Sequence, residues 1–149
     1  MGNKCCQTNL TDQNIKDLLS EHGLNKTKVK LEILQIISNS KKPVSVIEIH
    51  HALKDGCDVS TVFRSISQFK EKKIISEVNL DEGFLRYELY STKKNHHHHH
   101  ILCRRCGDIK NLEDCDLDVF EKALSKLGFT QMEHRLEFTG LCSRCSSKS

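Results

Sequence analysis

Apolar residues recur along the first part of the chain at intervals of three and four, and these intervals set four helices one after another. Over residues 11–22 the stripe is Ile15, Leu18 and Leu19, with Thr11 as cap and Gly23 as stop. A second helix begins under the cap Thr27 and carries Val29, Ile33, Leu34, Ile36 and Ile37 until Asn39 and Pro43 end it. Ser45-Val46-Ile47-Glu48 has the Ser-x-x-Glu form of a capping box and opens a short third helix through Leu53. A fourth, over residues 60–72, is expected to bury Val62, Phe63, Ile66 and Phe69. The period then becomes two: residues 74–78 and 84–89 read as strands joined through a turn at Asn79 to Gly83. Helices followed by a hairpin predict a winged helix-turn-helix. In that arrangement the helix before the wing enters the major groove, and Ser60, Thr61, Arg64 and Ser65 meet DNA. A small helical domain of other purpose is the competing reading.

Residues 91–95 contain two lysines and no apolar side chain, the pattern of a hinge. The expected organisation is a winged-helix domain over 1–90, the hinge over 91–95 and a metal-binding domain over 96–149. In the last, a strand runs through the histidines into Ile101-Leu102-Cys103 and a second lies around Asp108 to Leu112. A helix over 117–127 stops at Gly128, and a further strand is expected over 129–139. The fold class is therefore α+β, a winged helix-turn-helix followed by a small α/β lobe built around zinc.

At 149 residues the chain holds one ordinary domain or two small ones, and a metal staple compensates for a small core. No apolar run approaches the roughly 20 residues that span a bilayer. Met1 to Cys6 contain no apolar signal core, so the thiols are expected to stay reduced in the cytoplasm. Gly2 with Cys5 and Cys6 faintly resembles an acylation signal, but position 6 lacks the Ser or Thr such a motif uses. Residues 1–90 have 13 basic and 12 acidic side chains and residues 91–149 have 10 and 8, so bulk charge does not point to nucleic acid. Local clusters do: Lys26, Lys28 and Lys30, then Lys70, Lys72 and Lys73, fall near helix ends where phosphates are met, although a solvated face has the same pattern.

The chemistry lies in Cys103-Arg104-Arg105-Cys106 and Cys142-Ser143-Arg144-Cys145, two Cys-x-x-Cys knuckles whose four thiolates match a closed tetrahedral structural zinc site. Disulfides are the alternative and need an oxidising compartment. The run His96 to His100 has the look of a purification tag but is internal, between apolar and cysteine-rich sequence. On a strand, alternate histidines face opposite sides, so His98 and His100 serve one ion while His97 and His99 serve another. Glu88 is a candidate further ligand for the first, and Asp118 and His134 for the second, with Glu77, Glu113 and Asp114 in reserve. An ion shared by Glu88 with His98 and His100 would fix the angle across the hinge and couple metal to DNA affinity. Simple metal scavenging by the histidines is the plainer reading. Cys57 and Cys115 have no assigned role, as is usual for small buried thiols.

These residues resemble the ferric uptake regulator family of metal-responsive repressors over nearly the whole chain. The marks are Gly23-Leu24-x-x-Thr27, Ser60-Thr61-Val62-Phe63-Arg64, Arg86-Tyr87-Glu88-Leu89, the histidines running into Cys103-x-x-Cys106-Gly107, and His134-x-Leu136-Glu137-x-x-Gly140-x-Cys142-x-x-Cys145. The resemblance implies a homodimer with a C-terminal dimerisation domain and structural zinc on the two Cys pairs. It also implies a sensing site at Glu88, His98 and His100 and a further site at His97, His99, Asp118 and His134. Pro43 stands where many members have a sensing histidine and Asn111 where an acidic ligand is usual, so the sensing site is expected to be re-ligated through Glu113 or Glu77. Phe63 replaces the usual Tyr and removes a hydroxyl from the DNA face.

The function implied is a repressor that takes Fe(II) or Zn(II) as corepressor, with Mn(II) chemically admissible, and binds a double-stranded operator through Lys28, Lys30, Ser60, Thr61, Phe63 and Arg64. It would control metal uptake or homeostasis genes, without a membrane or small organic partner. A peroxide sensor ranks lower because such relatives use Asp where this chain has Glu88. A metal buffer would need no reading helix. An enzyme is disfavoured because the chain has no His-Glu-x-x-His helix, Gly-rich phosphate loop or nucleophile elbow.

Overall fold

A computed structural model of the protein describes residues 10–90, 99–112, 117–132, 134 and 136–147. The chain divides into two compact units, Met1–Thr92 and Lys93–Ser149. The expected hinge, and with it Cys5, Cys6, His97, His98, Glu113, Asp114 and Cys115, lies outside the described residues.

The first unit begins with α1 (Asp12–Glu21), whose cap Thr11 and N3 residue Asn14 exchange bonds in a capping box. Helix α2 (Lys28–Asn39) starts under Thr27, which accepts from the Lys30 N–H, and ends at Ser40. Strand β1 (Val44–Ser45) is a short element that periodicity gives no hint of. Ser45 then caps α3 (Val46–Ala52), with its hydroxyl accepting from the Glu48 N–H and the Glu48 carboxylate accepting from the Ser45 N–H at 2.7 Å. After the turn comes α4 (Val59–Glu71), followed by β2 (Ile75–Asn79) and β3 (Leu85–Leu89). The three strands form an antiparallel sheet in the order β1-β3-β2, with Val44 opposite Tyr87 and Ser76 opposite Glu88.

Four helices and the sheet bury one shared core: Ile15, Leu19, Ile33, Leu34, Ile49, Val62 and Phe69 are fully enclosed. Each such side chain contributes roughly 1.5–3 kcal/mol by leaving water. The core stripe of α4 is Val62, Ser65, Ile66 and Phe69, positions three and four apart. Two expectations fail against it. Phe63, expected in the core, is 52% exposed, because it stands one residue, about 100° of helix, round from Val62. Ser65, expected to meet DNA, is buried and donates to the Thr61 carbonyl at 2.9 Å.

The second unit contains β4 (His99–Cys103), β5 (Ile109–Leu112), α5 (Asp118–Lys126), β6 (Glu137–Gly140) and α6 (Ser143–Ser146). Its sheet has the order β5-β4-β6, with β4 antiparallel to β5 and parallel to β6. A parallel neighbour needs a long crossover, and α5 lies on that path. The strand expected over 129–139 is cut to its last part: Gln131 has a left-handed φ of 54°, which no ladder accommodates. Helix α5 has no buried residue; Val119, Phe120 and Leu124 are exposed on it and Leu127 at its C-cap.

Candidate metal centre and nucleic-acid interface

Near the start of α4 the exposed side chains include Ser60, Phe63 and Arg64, with Val59 exposed beside them and Thr61 half-buried. They present a hydroxyl, an aromatic ring and a guanidinium, groups that can meet a thymine methyl or a guanine edge. Lys28 forms an exposed ion pair with Asp55, which ties the start of α2 to the α3–α4 turn, and Lys30 is half-buried. Lys70 is paired with Glu77, so this basic end of α4 is partly offset.

The wing between β2 and β3 is shaped by an Asn79 side chain accepting from the Asp81 N–H at 3.1 Å, with Asp81 and Gly83 at φ 56° and 82°. Beneath it lies Arg86, part of the Arg86-Tyr87-Glu88-Leu89 mark but given no role from the sequence. It is buried, and its guanidinium donates to Glu82 at 2.6 Å, to Glu48 at 2.7 Å and to the Pro43 carbonyl at 3.3 Å, while lying 5.1 Å from the Phe84 ring centre. Burial pushes the Glu48 carboxyl up, but hydrogen bonds from Ser45 and the Arg86 charge outweigh it and hold the group below its ordinary value. Arg86 is held charged, first by its bond to Glu82. The wing, β1 and the start of α3 are thereby one hydrogen-bonded body. Alternation gives no signal for it, because it sets Arg86 on the face opposite Leu85, Tyr87 and Leu89.

In the second unit the two knuckles come together. The ligand atoms of Cys103, Cys106, Cys142 and Cys145 all lie within 4.8 Å of one another, and the Cys106 and Cys142 sulfurs are 3.7 Å apart. Two sulfurs each about 2.3 Å from a tetrahedral zinc stand about 3.8 Å apart, so the donor set and its spacing fit that ion. Cys103 ends β4, and its sulfur accepts from the Cys142 N–H at 3.3 Å. That bond, with those from the Cys106 and Arg105 backbone, brings its thiol down to about 6. Burial and the surrounding thiols push Cys145 up to about 12, while burial at Cys142 is outweighed by the bond from Cys145. The four-cysteine cluster is suited to structural zinc.

The second expected metal set is partly assembled. His99 and His134 face each other with Nε2 atoms 3.3 Å apart and ring centres at 5.2 Å. Two imidazole nitrogens about 2.0–2.1 Å from one tetrahedral ion stand about 3.3–3.4 Å apart. Asp118 heads α5, exposed; among the described residues no third ligand joins the pair with the closeness of the cysteines. Of the sensing set, Glu88 is half-buried on β3 and His100 is buried on β4 opposite Asn111 and Glu137. The expected opposition of successive histidines becomes burial on both faces, since His99 and His100 are each enclosed. Pro43, which stands in place of the sensing histidine the resemblance implies, is buried, and its carbonyl accepts from Arg86.

A helix-turn-helix with a wing, joined in one chain to a unit that gathers four thiolates and a histidine pair, defines a winged-helix transcription regulator with a zinc-suited second unit. The comparisons narrow the class. The Ferric uptake regulator family model matches residues 21–139, and the chain belongs to that family, whose members are transcription regulators and not enzymes. The chain is 33% identical over 131 residues to the ferric uptake regulation protein of Staphylococcus aureus, an alignment covering 86% of this chain and 93% of that one. The Helicobacter pylori ferric uptake regulator, with three functional metal-binding sites, has the same fold at TM-score 0.76 and 23% identity over 93% of this chain and 95% of its own. The Vibrio cholerae regulator, in which the DNA-binding domains rearrange, matches at TM-score 0.73 and 26% identity over 85% and 98%.

Proposed function

We propose that the protein is a homodimeric, cytoplasmic DNA-binding repressor of metal uptake or homeostasis genes, with a divalent metal, Fe(II) or Zn(II), as corepressor. The observation that carries this reading is the exposed Ser60-Phe63-Arg64 face of α4 beside a wing fixed by Arg86, in a chain with ligand sets of two chemistries. Thiolates suit a permanent zinc, and imidazole with carboxylate suits a borderline ion that exchanges. The structural zinc takes Cys103, Cys106, Cys142 and Cys145. The regulatory ion takes Glu88, His98, His100 and Glu113, and a second ion takes His97, His99, Asp118 and His134. DNA is met by Lys28, Lys30, Ser60, Thr61, Phe63 and Arg64. The dimer is supported by the apolar side chains that the second unit leaves exposed: Phe120 and Leu124 on α5, Ile101 and Phe138 on the sheet.

The test is binding of chelator-treated protein to its own promoter fragment, without oxygen, while buffered Zn(II) or Fe(II) is titrated against a scrambled duplex. Tightening by one metal on the promoter alone is the expected result. Binding that stays weak, salt-dependent and indifferent to sequence with every metal would make the protein a metal buffer instead.

A further inference from the structure

Each knuckle has an arginine directly before its second cysteine: Arg105 reaches onto the other knuckle, and Arg144 meets the Cys142 sulfur of its own knuckle and Asp108, two residues past the first. Arg105, between Cys103 and Cys106, donates through Nη1 to the Cys145 carbonyl at 2.8 Å. Arg144, between Cys142 and Cys145, stands with Nη2 3.7 Å from the Asp108 carboxylate. Asp108 is itself bound to the first knuckle, because its carbonyl accepts from the Cys103 N–H at 2.8 Å. Backbone bonds run the same way: Arg104 N–H to the Gly140 carbonyl at 3.0 Å and Cys142 N–H to the Cys103 sulfur at 3.3 Å. Four thiolates on a divalent ion leave two negative charges, and of the three arginines within the knuckles, Arg104, Arg105 and Arg144, the last two have the side-chain contacts described above.

We propose that Arg105 and Arg144 are positioning residues, a reciprocal pair that crosses between the knuckles, holds the two thiolate pairs at one-ion spacing and slows loss of the metal. The proposal rests on the reading of the four cysteines as the zinc site and adds residues beyond the ligands. Arg105 acts through a directional bond to a carbonyl, so lysine should replace it poorly. Arg144 acts first through its charge and bond on the Cys142 sulfur and then through charge on Asp108, both of which a lysine ammonium can supply, so lysine should replace it well. Lys110 provides the contrast: it also stands 3.7 Å from Asp108, but on β5 and outside both knuckles.

The experiment takes the full-length protein as isolated, measures its zinc content, and times zinc transfer to an excess of chromogenic chelator at neutral pH. Arg105→Met and Arg144→Met are each expected to speed transfer on the order of tenfold, the usual consequence of removing a group that orients a ligand. Arg144→Lys should recover most of the wild-type rate, Arg105→Lys little of it, and Lys110→Met should leave it unchanged. Wild-type transfer rates in both methionine variants would overturn the proposal, as would equal acceleration by Lys110→Met, which would show general charge only. Circular dichroism of the zinc-loaded variants is recorded alongside, and acceleration accompanied by lost secondary structure would also overturn it in favour of a plain folding role. Wild-type protein isolated without zinc would defeat the four-thiolate reading itself, a result distinct from unchanged rates in zinc-containing variants.

Discussion

Arg86 shows what a single buried charge does for this fold. Its partners Glu48 and Pro43 lie 38 and 43 residues earlier in the chain, so no local pattern announces them. The capping box of Ser45 and Glu48, by contrast, is legible in four consecutive residues. Glu48 serves both, and the sign of its pH dependence follows. Its folded carboxyl binds protons less readily than the ordinary value of 4.5, so its contribution is fully present above that value and is lost as pH falls through the lower folded one. Glu48→Gln is expected to cost about 1 kcal/mol near neutrality, the low end for a charge-assisted bond because the group is partly exposed. Urea melts at neutral pH and again near pH 3 check this: the gap between variant and wild type should shrink in acid. At the DNA face the expectation is opposite in kind. Arg64→Ala and Phe63→Ala remove exposed side chains, so stability should stay within about 0.5 kcal/mol while promoter affinity falls and bound zinc remains. Thermal melts and mobility shifts on the same samples separate the two effects.

Among the elements, α4 and α5 have nearly the same amphipathic periodicity and different fates. The α4 stripe was legible because a helix of that period must bury one face, and Val62, Ile66 and Phe69 do so. The residue beside the stripe, Phe63, was misplaced because an aromatic ring attracts a core assignment even where the helix turns it outward. Phe69→Ala should cost about 3–5 kcal/mol, seen as a lowered denaturation midpoint of the first unit. For α5 the same reasoning found the helix but not its partner, since a face that is apolar in the sequence is left exposed in the single chain. Phe120→Glu with Leu124→Glu should therefore leave secondary structure intact and halve the mass in sedimentation equilibrium, whereas an unchanged dimer mass would remove α5 from the interface. Strand β6 is shorter than alternation suggested, and β1 and α6 escaped notice because two or four residues are too few to show a period.

At the scale of the whole molecule the two units have unequal means of staying folded. The first encloses a core drawn from four helices and a sheet, while the buried apolar residues described in the second are Leu102, Cys103, Ile109 and Cys145. A unit with so little core depends on its staple. Cys142→Ser, or exhaustive chelation, should unfold the second unit while the first keeps its helices, giving two transitions by circular dichroism and early proteolysis beyond residue 92. Fold class and the cysteine site were legible because each has a local signature, a periodicity or a Cys-x-x-Cys. The pairing of His99 with His134 was offered as a candidate from strand alternation and by the family resemblance, but no local signature announces it, since the two are 35 residues apart. The parallel register of β4 with β6 also sets a schedule. Cys142 follows Cys103 by 39 residues, so at about 5–20 residues per second a ribosome spends roughly two to eight seconds with the first knuckle made and the second not yet written. During that interval the nascent chain offers a dithiol, which binds metals and oxidants less selectively than four thiolates. The four-thiolate set is therefore completed only after all three strands of the second unit's sheet have been made.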